Sequence, residues 1–317
     1  MGRVTQARRI TTVRIRDGRL HRGRKGDHLA VEEPLDIRLN GRPLSMTMRT
    51  PGHDTELVHG LLHAEGRITS REDISEARYC DGAVVEDESG YARNTYNVMD
   101  FTTRRPQLLP VVAREFVTSS ACGVCGAASI EDVRRKGRFA LAQDWTTTPR
   151  ALFAAQRAFD AEQTIFRRTG GIHGAALVTP TGEVLVQRED VGRHNAVDKV
   201  IGWALLQDLL PLSDLMLLVS SRAGFEIVQK AYMAGIPLLA CVSAASSLAV
   251  DTADEVGMTL IGFLRGADGG GADRGGADGG GVDGGGADGG GAEGPSAGDG
   301  RMNVYTHPDR LDLSDAE

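Results

Sequence analysis

Cys122 and Cys125 stand three residues apart in Ser-Ser-Ala-Cys-Gly-Val-Cys-Gly, residues 119–126, with a glycine after each. The spacing has four chemical readings. A structural zinc site takes four ligands. The other two cysteines, Cys80 and Cys241, are isolated in sequence and far apart. A zinc deaminase pairs His-x-Glu with Pro-Cys-x-x-Cys, the Glu moving protons. His63-Ala64-Glu65 precedes the cysteines in that order, but Ala121 stands where the proline belongs and His63 falls late in its expected helix. Thioredoxin-like exchange puts the pair at the start of the first long helix of a small βαβ domain, whereas here a long stretch of other structure comes first. The fourth reading is sulfur handling. Neighbouring amide dipoles and a second thiol lower a cysteine's pKa and raise its thiolate fraction. A thiolate accepts sulfane sulfur as a persulfide, and the second thiol takes part in relay or release by the displacement chemistry of disulfide exchange. Gly123 and Gly126 leave both sulfurs open to a partner's cysteine and then to a bulky acceptor. Sulfur handling is favoured, and a deaminase is the alternative.

The elements that position such a loop can be read on both sides of it. Residues 35–50 place Asn40-Gly41 between alternating apolar residues, the strongest short hairpin signal. Residues 50–66 read as a turn and a short helix ending at Gly66, and 91–99 and 108–118 as strands, the second running into the CxxC. The front part, residues 28–147, is therefore α+β. From Thr148, an N-cap followed by Pro149, one helix is expected through residue 168. A hairpin around Thr181-Gly182, an amphipathic helix over 193–210, and then apolar strands alternating with helices predict a three-layer α/β core over 148–266 and 301–309.

In open α/β sheets, ligands bind where strand carboxyl ends lead into helix N-termini. Three such loops here are polar: 187–195 (QREDVGRHN), 220–224 (SSRAG) and 243–247 (SAASS). They point to a nucleotide or another anion. Ser220, Ser221, Arg222 and Gly224 suit a guanine or pyrophosphate group, and after Asp190 a second helix opens with Arg193, His194 and Asn195, further candidates to bind the same ligand. His173 is a candidate to orient ligand or thiolate. Asp198 and Lys199 read as solvated or paired, and Cys241 as a buried small residue.

Composition bounds the rest. The formal net charge of -7 is owed mostly to residues 267–300, whose seven acids and one arginine sit among glycines with Asp every five positions. A calcium β-roll would need a nine-residue period with apolar positions; this segment reads as a disordered insert. The basic residues 1–27 read as a flexible arm and 310–317 as a tail. No apolar stretch follows Arg8-Arg9, which argues against a secretory signal and makes the cytoplasm the expected compartment. No apolar run approaches the ~18 residues of a membrane span, and four cysteines make no disulfide scaffold.

Taken together, residues 32–41, 48–66, 119–126, 169–177, 188–202 and 220–253, with GFLRG at 262–266 and NVYTH at 303–307, resemble the formate dehydrogenase accessory sulfurtransferases, the FdhD family. The resemblance implies a sulfur carrier. It would receive persulfide sulfur from a cysteine desulfurase on Cys122, with Cys125 as partner thiol. It would deliver that sulfur to the molybdenum or tungsten of a bis(molybdopterin guanine dinucleotide) cofactor, for the catalytic subunit of formate dehydrogenase. It further implies a cytidine deaminase-like core, a homodimer, no resident metal, and cofactor binding at Phe263, Leu264, Arg265 and Gly266. Within that likeness, Gly170–Ala175 matches a helix-opening His-x-Glu with Ala175 in place of the acid, which removes the general acid/base of deamination. The insert begins directly after Gly266, beside a site for an anion.

Overall fold

Asp17 and Gly18 both take left-handed backbone, with φ of 50° and 74°, and turn β1 (Thr5–Arg16) into β2 (Arg19–Ala30). The arm expected to be flexible is a hairpin in register from Thr5–Ala30 to Arg16–Arg19. The Asp-Gly turn, a type I′ signal, closes the hairpin within the basic residues that read as a flexible arm. In this computed structural model the described residues are 4–80, 84–86, 92–94, 97–104, 117–118, 137–266 and 300–314.

The same turn chemistry at Asn40 and Gly41 (φ 54° and 75°) joins β3 (Glu33–Leu39) to β4 (Arg42–Arg49). Helix α1 (Asp54–Ala64) follows, then β5 (Ile74–Tyr79), a small pair β6 (Val84–Glu86) and β7 (Ala92–Asn94), β8 (Val98–Thr103) and β9 (Val117–Thr118). The front sheet has the order β5-β8-β3-β4-β9. Its buried Leu35, Ile37, Leu39 and Phe101 meet Leu57 and Leu62 of α1.

Thr148 caps α2 (Pro149–Glu162) by accepting the amide of Ala151 at 3.1 Å. The single helix expected here breaks at Gln163 and resumes as α3 (Thr164–Thr169). The break is stabilised from outside the segment: the Glu189 carboxylate accepts the amides of Ile165 and Phe166 at 3.0 and 2.8 Å. Beyond it come β10 (His173–Val178), β11 (Val184–Asp190), α4 (Arg193–Leu206), β12 (Met216–Val219), α5 (Phe225–Met233), β13 (Leu238–Cys241), α6 (Ser247–Glu255), β14 (Thr259–Gly266) and β15 (Gly300–Thr306).

The strands form one sheet, β11-β10-β12-β13-β14-β15, in which β12, β13 and β14 are parallel and the other pairings antiparallel. Phe153 and Phe159 of α2 pack on one face with Ala176, Leu218 and Ile261. Val197, Ile201 and Ile227 of α4 and α5 pack on the other with Leu177, Leu217 and Leu239. The fold is the three-layer α/β arrangement expected. Helix α4, expected to be amphipathic, is instead covered on both sides, because α1 packs on its outer face. There the backbones nearly touch: a Cβ at Gly60 would come within 1.9 Å of the Asp198 carbonyl, and one at Gly202 within 1.8 Å of that of Glu56. Among the described residues, no helix is long and apolar enough to cross a membrane.

Candidate functional site

Parallel strands β12 and β13 end at Val219 and Cys241, and their following loops are bound to each other by Ala223 N to Ala244 O at 3.1 Å and Ser246 N to Ala223 O at 3.0 Å. Ser220 ties this edge to the start of β10, accepting the Gly174 amide on its Oγ at 2.9 Å. His173 therefore stands beside the SSRAG loop, opposite Asp190 in the β10–β11 register. Asp190 leads into Arg193 and His194 at the start of α4. His194 Nε2 lies 2.6 Å from Glu226 Oε2 in the first turn of α5. That contact holds the Glu226 carboxyl below its usual range, against the opposing effect of burial. Burial first, and then Arg193 and His194, push the His173 imidazole down, with Asp190 opposing. His173 is thus a neutral hydrogen-bonding group at neutral pH. Ser221 is 5% exposed, and Arg222 projects to solvent. The sequence-predicted His173, Arg193, His194, Ser220, Ser221 and Arg222 converge on one ledge, and Gly224 supplies the N-cap position of α5.

Strand β14 reaches the same ledge and then leaves the regular ladder. Its register with β15 shifts between Gly262 and Arg265, and Phe263 takes φ 53°, a conformation costly for a bulky side chain and characteristic of functional positions. Phe263 N donates to Ser243 O at 3.0 Å, which pins the bulge to the loop after β13 while the ring stays 37% exposed. Leu264 needs correcting as a ligand-facing residue. Its side chain is fully buried in the α2 side of the core, so it anchors the segment from beneath. Gly266 ends the strand opposite Gly300.

Asn195 is a second correction. Its Nδ2 donates to Met48 O at 2.8 Å and Asp190 Oδ1 at 3.0 Å, and its Oδ1 accepts from Thr47 Oγ1 at 3.3 Å. It stitches β4 to the start of α4 rather than facing a ligand. Lys199 and Asp190 complete the seam. Lys199 Nζ lies 2.6 Å from Asp190 Oδ2 and donates to Thr50 O at 3.0 Å. Asp190 also accepts the amides of Thr50 at 3.2 Å and Gly192 at 2.8 Å. Nearby, the buried Arg49 guanidinium grips Asp54, with Nη2 to Oδ2 at 2.9 Å, and Tyr79 Oη donates to the same oxygen at 2.9 Å. Asp198 is paired as well, with Lys230 Nζ at 2.7 Å. Sequence reasoning missed Thr47 and Arg49. Their alternation on a hairpin strand showed that one face is buried, but not what meets it.

Cys122 and Cys125 lie outside the described residues. Among the described residues before them, strand β9 pairs with β4, Thr118 opposite Thr47. The thiol of Cys241 is fully buried. Burial pushes its pKa up to about 11, and Sγ donates to Ser243 O at 2.9 Å. Cys80 is half-buried.

The deaminase alternative finds no support. His63 is 1% exposed at the end of α1, with Nε2 3.0 Å from Met233 O, and Glu65 caps that helix. His173 opens a strand, where the deaminase likeness called for a helix.

Residues 30–270 match the model of the FdhD/NarQ family. The chain is 52% identical over 267 residues to the sulfur carrier protein FdhD of Nocardia farcinica, covering 84% of this chain and 91% of that one. It is 51% identical over 271 residues to that of Corynebacterium efficiens, covering 84% and 96%. The crystal structure of a candidate formate dehydrogenase accessory protein from Desulfotalea psychrophila shares the fold, with a TM-score of 0.63 at 23% identity over 96% of this chain and 99% of that one. By the extent of these matches, the chain belongs to the FdhD/NarQ family.

Proposed function

We propose that this protein is a sulfur carrier in the maturation of formate dehydrogenase. The Cys122 thiolate attacks the outer sulfur of a cysteine desulfurase persulfide. The donor's S–S bond breaks, the donor cysteine leaves as thiolate, and Cys122 holds the persulfide. At delivery, the Cys125 thiolate attacks the inner sulfur of that persulfide. A Cys122–Cys125 disulfide forms, and the outer sulfur leaves as sulfide, reduced by the two electrons the thiols give up. The acceptor is the substrate of this step: the molybdenum or tungsten of the bis(molybdopterin guanine dinucleotide) cofactor. The ledge of Ser221, Arg222, Arg193, Phe263, Arg265 and Gly266 would hold it through its guanine and phosphate groups. The working form is a homodimer and the compartment the cytoplasm, where thiols stay reduced.

The observation that carries this reading is the pairing of Thr118 with Thr47 together with the Thr47–Asn195 hydrogen bond. The strand leading to the cysteines is thereby registered against the helix that opens on the ledge. The test is mass spectrometry after incubation with a cysteine desulfurase and cysteine. Cyanide-labile sulfur of ~32 Da should sit on the 122–125 peptide. Cys122→Ala should lose it, along with maturation of the client dehydrogenase, at an unchanged melting temperature. Label confined to Cys80, or none, overturns the reading.

A further inference from the structure

On the face of the sheet away from α4, helix α2 runs beneath the end of β14. Gln156, Asp160 and Gln163 lie three and four residues apart, on one side of the helical path. Gly266 N donates to Gln156 Oε1 at 3.0 Å. Gln156 Nε2 donates to Asp160 Oδ2, and Gln163 Nε2 to Asp160 Oδ1 at 3.1 Å. These contacts fix where the β14 segment stops. They also leave two polar atoms over: Arg157 Nη1 and Gln163 Oε1 are buried with no hydrogen-bond partner. Each lies against a glycine of the ledge. Arg157 Nη1 is 3.2 Å from where a Cβ on Gly266 would sit, and Gln163 Oε1 is 3.1 Å from the equivalent point on Gly174. Gln163 is only 3% exposed.

A buried guanidinium N–H without an acceptor is costly, and nothing else among the described residues occupies it. It lies at the end of the segment that the proposed function assigns to the cofactor. We infer that Arg157 is a further ligand-binding residue, contributed from the α2 side of the sheet, whose Nη1 donates to a phosphate oxygen of the guanine nucleotide half of the acceptor. Gln156 is its positioning residue. By holding Gly266 N, it keeps a residue without a side chain beside the guanidinium, so that the phosphate approaches backbone and Arg157 together. Gln163 Oε1 offers an acceptor to a ligand hydroxyl or N–H at the Gly174 end. This inference rests on the proposed function, and its test separates the two.

Calorimetric titration of the full-length protein with GDP and with guanosine distinguishes the phosphate contact from recognition of the base. Arg157→Gln should weaken GDP about tenfold, the loss expected of one charge-assisted hydrogen bond, and leave guanosine unchanged. Arg157→Lys, which keeps the charge without the planar fork, should recover only part of the loss. A purely structural role would lower the melting temperature and weaken both ligands alike, which overturns the inference. Wild-type GDP binding that Arg222→Ala weakens and Arg157→Gln does not overturns this inference alone. Absence of GDP binding by the wild type removes the assignment of the ledge, and this inference with it.

Discussion

Lys199 Nζ sits 2.6 Å from Asp190 Oδ2, with the two side chains 1% and 0% exposed, at the point where the hairpin strand β4 meets the start of α4. Removing one partner of such a pair leaves an uncompensated buried charge, a loss of ~3–5 kcal/mol. Lys199→Met should therefore destabilise strongly in urea denaturation. Asp190→Asn with Lys199→Met should recover part of the loss, because Asn restores neutrality but replaces one of the two acceptor oxygens that take the amides of Thr50 and Gly192.

The close crossing of α1 and α4 makes a second test. Gly60→Ala puts a methyl group against the Asp198 carbonyl, a backbone atom that cannot swing aside. Overpacking of this kind costs about 1–3 kcal/mol and more where backbone must move. Gly202→Ala should behave alike. Gly171→Ala, with only the Thr169 carbonyl at 3.9 Å, serves as the mild control in the same denaturation series.

His63 gives a pH signature. Burial lowers its pKa from 6.5, helped by Arg138 and Lys230 and opposed by the Met233 and Ile68 carbonyls. The unfolded chain therefore takes up a proton near pH 6.5 while the folded protein resists it, so the contribution of His63 is complete above that pH and lost as pH falls below it. The melting-temperature deficit of His63→Gln relative to wild type should be largest at pH 7.5 and shrink by pH 5.5. A deficit constant across that range would mean that His63 does not titrate between the two states.

Cys241 should be silent in thiol chemistry. With its pKa pushed up to about 11 and no exposed surface, it holds almost no thiolate at neutral pH. Iodoacetamide mapped by peptide mass spectrometry should leave Cys241 unlabelled in the native protein and label it in guanidinium chloride.

The ends of the Gly/Asp-rich segment meet at the Gly266–Gly300 pair. Replacing 267–299 with a short Gly-Ser turn should keep β14 and β15 together. Each halving of loop length returns ~0.6 kcal/mol of closure entropy, so about three halvings should leave melting temperature unchanged or raise stability by up to ~2 kcal/mol. Removing the segment's acids should also strengthen GDP binding at low salt, converging with the parent at high salt.

Much of this was legible because it is local. Asn40-Gly41 specifies its turn, Thr148 its cap, and alternating apolar strands and helices the layered sheet. The polar loops after strands bring Arg193, His194, Ser220, Ser221 and Arg222 to one ledge, since sheet topology alone delivers strand ends to the same edge, and His173 joins them from the start of the antiparallel β10. The misreadings share a cause. Asn195 reads as a ligand residue because nothing nearby in sequence shows that Thr47 and Met48 consume its amide. Helix α4 reads as one-sided because its second covering layer, α1, lies far earlier in the chain. The Gln163 break depends on Glu189, which no local propensity reveals. At Asp17-Gly18 a local turn signal sits within a run of basic residues that by composition alone reads as a flexible arm.

The burial of α4 on two sides has a consequence for cooperativity. Its apolar residues belong to the core of the six-stranded sheet, while Leu205 at its end belongs to the core of the front sheet. Neither half can keep its own interior dry without this one helix, so neither should persist as an independent folding unit. In native-state hydrogen exchange the α4 amides should open only with global unfolding, and the transition should be a single step despite the two larger sheets among the described residues.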